Sequence, residues 1–196
     1  MLAVARARKG DTLANDALCT EKFRTKRIYG DNLTPLNADE PQDAIVNRLT
    51  KLLIYLREFD KRGNWDIYLE NDTLRWDQLT LTGQSQGGGM AAFIAKDRLV
   101  DRVITFSGGW DYSAEKNIAK WYYKESVTPT ERWYGTYNIA EPSAAVLDQT
   151  YRAMAIPDGH VYPLDKEVRN GRRAHVEGVK NPAYQDTWIE MLGRGN

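Results

Sequence analysis

The chain has 196 residues, and its 27 basic and 27 acidic side chains cancel. That length serves a single domain spanning 1–196 with a substantial core, and the charge balance argues against nucleic acid or an anionic membrane as partner. No run of 18 apolar residues offers a transmembrane segment, and MLAVARARKGD lacks the apolar centre of a secretory signal, so the sequence assigns no compartment.

The opening MLAVARAR is short and apolar enough for a strand, and the polar stretch from Lys9 to about Ala38 reads as loop. The single cysteine, Cys19, has no intrachain disulfide partner and reads as an ordinary thiol. Asp39, Glu40 and Pro41 are helix-start signals. Behind them Ile45, Val46, Leu49, Leu52, Leu53, Leu56 and Phe59 recur at three- and four-residue steps, an apolar helical face that Arg62-Gly63-Asn64 stops.

A strand is predicted at Gln78–Thr82, a small-faced helix at 90–95 and a second strand at Val103–Ser107. An aromatic excursion over 111–131 precedes a third strand around Trp133–Tyr137, and Ser143 caps a helix through Met154. HVYPL from His160 makes a fourth strand, and a terminal helix carries Pro182 in its first turn and Gly193 after its end. Strands alternating with helices argue for an α/β protein, a three-layer αβα sandwich with a mostly parallel sheet.

The junction of the first predicted strand and helix reads Gly83-Gln84-Ser85-Gln86-Gly87, the pattern G-x-S-x-G. A serine at the tip of a tight strand-to-helix turn is lifted clear of the sheet, and small neighbours, Gly83 and Gly87, give clearance. The Gln86 amide at the helix N-terminus then points where a tetrahedral intermediate carries its negative charge. The competing explanation is a glycine-rich turn with a bystander serine. No lysine follows in P-loop spacing, which disfavours phosphate binding.

The stretch LTGQSQGGGMAAFIAKDRLVDRVITFSGGWD resembles the elbow region of α/β-hydrolases, particularly bacterial serine esterase-like and lipase-like members with a G-H-S-Q-G-G turn. The likeness continues by order and texture through TPTERWYGTYNIAEP to the final helix, about two-thirds of the chain. Gln84 stands where these relatives usually have histidine, a change expected to tune the substrate pocket. The resemblance implies a carboxylic ester hydrolase with a catalytic triad in the chain order serine, acid, histidine.

Of the two histidines, His175 in NGRRAHVEG fits the base, on a loop after the last strand, whereas His160 begins a strand and reads as structural. Family placement of the acid falls on Glu141 in YNIAEP, with Asp111 after GGW as the alternative; Asp148 and Asp158 are further carboxylates in range. The resemblance also implies missing parts. No glycine turn before Ser85 matches the loop that supplies the second oxyanion donor, so the chain is expected to be N-terminally truncated relative to the family.

Truncation would impair activity and expose a sheet edge through which a homo-oligomer could form. The 111–131 excursion is expected to act as a lid or pocket wall, with Trp110 in the substrate pocket of a small-molecule ester. Two histidines and one cysteine, far apart, make no metal constellation, and the chemistry calls for no cofactor. The alternatives are an impaired hydrolase remnant serving as a binding or interaction domain, and a thioesterase, acyltransferase or peptidase using the same triad.

Overall fold

A computed structural model describes residues 18–112, 117–168 and 171–193. The predicted strand MLAVARAR lies outside the described residues. The chain divides into two compact units, the first ending at Leu79 and the second beginning at Thr80.

In the first unit, helix α1 (Cys19–Tyr29) occupies part of the stretch expected to be loop. Its sequence, CTEKFRTKRIY, is too polar to show an apolar stripe. It has Glu21 in its first turn and Lys26 and Arg27 in its last, both favourable to the helix dipole, and Gly30 closes it. Cys19 is buried. Glu40 and Asp43 form a reciprocal capping box around the 3-10 turn Pro41–Asp43, which leads into α2 (Ile45–Phe59).

Only part of the predicted apolar face of α2 is covered. Leu53 is buried with Leu69 and Leu74, and Val46 and Leu49 pack against that cluster, while Leu52, Tyr55 and Phe59 stay exposed. Leu69 and Leu74 come from a hairpin of β1 (Leu69–Glu70) and β2 (Thr73–Leu74), which the sequence reading did not include. Asn71 and Asp72 both have positive φ between them, the conformation of a two-residue hairpin turn.

The second unit holds a four-stranded parallel sheet in sequential order: β3 (Thr80–Gln84), β4 (Arg102–Phe106), β5 (Trp133–Asn138) and β6 (Val161–Leu164). Helices flank it, α3 (Gln86–Asp97), α4 (Ala144–Ala153), α5 (Gly171–Lys180) and α6 (Gln185–Leu192), giving an α/β architecture consistent with three layers. The four predicted strands are thus present, and the first lies two residues later than expected. Among the described residues β3 pairs on one side only, which makes it an edge.

Burial grades across the sheet. Val103 and Ile104 of β4 and Trp133 of β5 are completely inaccessible, whereas no residue of β3 is fully buried. Part of the excursion is packed as core. Trp121 and Tyr122 are wholly buried, and Trp121 meets Phe93 of α3 edge-on at 5.2 Å. The Val127 and Thr128 amides then bond to the Lys96 and Ala95 carbonyls at the end of α3.

Candidate active site

Strand β3 ends at Gln84 and α3 begins at Gln86, so Ser85 alone makes the turn between them. Its φ of 56° and ψ of −119° are a strained combination for a residue with a side chain, of the kind that costs ~1–3 kcal/mol. Two backbone bonds hold it there: the Ser85 amide donates to the Phe106 carbonyl at 2.8 Å, and the Ser85 carbonyl accepts from the Gly89 amide at 3.2 Å. The hydroxyl makes no capping bond to its own helix.

Gly83 is required by this turn. A Cβ there would stand 2.3 Å from the Gly87 carbonyl carbon and 2.7 Å from the Gly88 nitrogen, backbone atoms that cannot move aside. Gly87 differs from expectation, since a Cβ on it meets nothing within 4 Å. The pattern's second glycine therefore borders open space rather than relieving a clash of its own. Gln86 is the first residue of α3, where amides precede the intrahelical ladder.

Glu141 follows β5 on a tight turn in which its amide donates to the Asn138 carbonyl. The residue is 4% exposed, and three donors converge on its carboxylate. Its Oε1 accepts from the Ser107 hydroxyl at 2.5 Å and from the Asn138 amide at 3.1 Å. Its Oε2 lies 2.7 Å from Nδ1 of His175. With donors from Ser107 and Asn138 already on it, the carboxylate serves as an acceptor, and the bond at Oε2 puts the histidine proton on Nδ1 and leaves Nε2 with its lone pair.

His175 sits inside α5, not on the loop that was expected. One of the glycines that suggested a loop has a packing reason: a Cβ on Gly178 would lie 3.2 Å from Leu164 and 3.5 Å from Phe106, so glycine lets α5 settle close to the sheet. Two further contacts fix His175. The Gln84 side-chain amide donates to its backbone carbonyl at 2.7 Å, and the Trp110 ring meets the imidazole edge-on at 5.0 Å. Trp110 is itself held by a bond from Nε1 to the Ser107 carbonyl and packs on Tyr112 at 6.2 Å.

The structure thus brings Glu141, His175, Gln84 and Trp110 together, with Ser85 adjoining Gln84 in the chain. Asp111 goes elsewhere: its carboxylate accepts from the Trp121 indole at 2.9 Å and its amide bonds the Tyr122 hydroxyl, anchoring the excursion. Asp148 accepts from Tyr137 and pairs with Arg152. Burial, with the adjacent Asp148 charge, pushes the Tyr137 phenol up to about 12. Asp158 lies 3.9 Å from Arg152. His160 bonds the Trp133 carbonyl and stacks on Tyr134, a structural placement.

Ser107 escaped the sequence reading. It directly follows β4 with a positive φ of 47°, its amide bonds the Thr136 carbonyl, and its hydroxyl braces Glu141. The one available signal was a small polar residue between a strand end and Gly108-Gly109. No group of three or more metal-ligating side chains occurs among the described residues, and none of their helices is long and apolar enough to cross a membrane. An open cavity of about 700 Å³ lies against α6, lined by Asp186, Ile189, Glu190 and Gly193, none of them a site residue. No family model matches the chain, and neither curated proteins nor solved structures give a match.

Proposed function

We propose that the chain is a serine hydrolase of α/β-hydrolase type that cleaves a carboxylic ester through Ser85, His175 and Glu141. The observation that carries this reading is the buried Glu141 carboxylate on Nδ1 of His175 at 2.7 Å, tied through Gln84 to the residue next to a strained Ser85. A serine in a plain glycine turn has no need of such a carboxylate–imidazole pair tied to its neighbour.

In the proposed reaction Ser85 Oγ attacks the ester carbonyl carbon while Nε2 of His175 takes the hydroxyl proton. Glu141 keeps the imidazole in its Nδ1-protonated form and stabilises the imidazolium that develops. The Gln86 amide at the start of α3 is the donor aimed at the oxyanion. Collapse expels the alcohol, which receives the proton from His175. Water, deprotonated by the same nitrogen, then releases the acid and regenerates the serine. Trp110 and Tyr112, half-buried beside His175, are the aromatic surfaces offered to the substrate.

The test is covalent labelling by a fluorophosphonate probe, which reports an activated serine whatever the natural ester. Wild type is expected to label and Ser85→Ala to stay unlabelled with an unchanged circular dichroism spectrum. Well-folded wild type that fails to label would sink the proposal and favour a non-catalytic binding domain.

A further inference from the structure

Gln84, expected from the sequence to tune a substrate pocket, makes a different contact in this structure. It is the last residue of β3, with its backbone in register with Phe106 of β4, so its position is fixed by the sheet. Its side chain crosses to α5 and donates to the carbonyl of the one residue there that carries an imidazole. α5 packs on β5, two strands away from β3. The bond therefore links the strand that ends at the nucleophile to the helix that holds the base, 91 positions apart in the chain.

The chemistry of the acceptor suits this use. An interior helix carbonyl has two lone pairs, and the intrahelical bond to the amide four residues on, Val179, uses one. The second is open to a lateral donor at no cost to the helix. The contact is made to backbone rather than to the ring, so it positions His175 without competing for Nδ1 or Nε2. Glu141 sets the rotation of the imidazole, Trp110 flanks it, and the remaining variable is how far the helix stands from β3.

We propose that Gln84 is a positioning residue whose side-chain amide sets the separation between the Ser85 hydroxyl and the His175 imidazole. This rests on the hydrolase reading above. Gln84 touches neither reacting atom. It acts through the backbone of the base, and its loss lets α5 ride outward on β5 while the Glu141–His175 bond persists.

Two near-isosteric variants separate this from a general packing role. Gln84→Met keeps the length and removes the donor, and Gln84→Glu sets a carboxylate against the carbonyl oxygen. Steady-state hydrolysis of a short p-nitrophenyl ester is expected to show kcat lowered ~10-fold in the first and ~100-fold in the second, since a displacement near 1 Å costs ~100-fold. KM should stay within about two-fold, because the Gln84 amide is engaged by the backbone of the base and acts through it. In the Ser85→Ala background the downfield Nδ1 proton of His175 should persist in both variants, showing that the pair with Glu141 is intact.

Variants that match wild type in kcat within about two-fold, beside a dead Ser85→Ala control, would overturn the positioning role and leave the hydrolase reading standing. Loss of the Nδ1 proton would also overturn it, since Gln84 would then be holding the pair together instead of spacing it. A wild type with no Ser85-dependent turnover would overturn both. Should Gln84→Glu not fold, Gln84→Met decides the matter alone.

Discussion

Replacing Glu141 by glutamine changes one atom's chemistry and almost none of its volume, and the structure dictates which way the new amide must turn. Oε1 receives two donors, the Ser107 hydroxyl at 2.5 Å and the Asn138 amide at 3.1 Å, while Oε2 receives one, from His175. The glutamine oxygen therefore stays at the first position and its NH2 faces Nδ1. Two donors cannot share that bond, so the imidazole must present a lone pair at Nδ1 and carry its proton on Nε2, where it can no longer accept one from Ser85. In the serine protease template that wrong tautomer lowers kcat ~10,000-fold, and a loss of that order is expected here. Stability should fall by about 1 kcal/mol, since the bonds to a 4%-exposed side chain are kept but lose their charge assistance. Probe-labelling rate and urea unfolding measure the two separately. Labelling within ten-fold of wild type in folded Glu141→Gln would refute the assignment of Glu141 and return attention to other carboxylates.

The two elbow glycines should respond in opposite ways. Gly83→Ala drives a methyl into backbone 2.3 Å away and is expected to cost at least ~2 kcal/mol by urea unfolding. Gly87→Ala meets open space within a helix and should gain ~0.5–1 kcal/mol; a destabilised Gly87→Ala would contradict the elbow geometry. Lys96 gives a pH signature. It is buried, donates to the Lys124 carbonyl, lies 5.6 Å from the Trp133 ring, and burial lowers it from 10.5 to about 8. Between those values the unfolded chain binds more protons, so wild type gains stability as pH rises from 8 toward 10.5. Lys96→Met lacks that gain. The difference between the two proteins should therefore move by up to about 3 kcal/mol in wild type's favour across that window, and a difference flat from pH 7 to 10 would show that the ammonium is not desolvated.

What could be read in the sequence was whatever has a local cause. The strands β3 to β6 carry apolar runs between breakers, and the elbow carries a glycine because a Cβ at position 83 cannot exist there. Glu141 was singled out by the resemblance, which puts the acid after β5. What could not be read depends on distant contacts. α1 is mostly polar, and α5 has glycines at 171 and 178 that mimic a loop, although Gly178 serves helix-on-sheet packing. The excursion's aromatics looked like a pocket wall, but only the contact between Trp121 and Phe93 tells core from lining. The bond from Gln84 to His175 arises from tertiary pairing and has no sequence pattern, and Ser107 offered only its place between a strand end and two glycines.

Among the described residues of the second unit, Ser85, Ser107 and Ala155 carry side chains at positive φ, and the first two share one end of the sheet. Ser85 and Ser107 each have positive φ, and they follow β3 and β4 at the carboxyl ends of adjacent parallel strands, the end where α/β sheets bind ligands. Each such residue costs ~1–3 kcal/mol and persists only where its surroundings over-determine it. The surroundings do so here: Phe106 and Gly89 hold Ser85, while Thr136, Glu141 and Trp110 hold Ser107. Ser107 spends its strain on aiming a hydroxyl at Glu141, which in turn aims His175. The Ser85 side chain makes no capping bond to its helix. A conformation maintained against its own cost, with its hydroxyl unused by the helix it begins, needs a reason outside local structure. In the proposed hydrolase, presenting that oxygen for chemistry is such a reason.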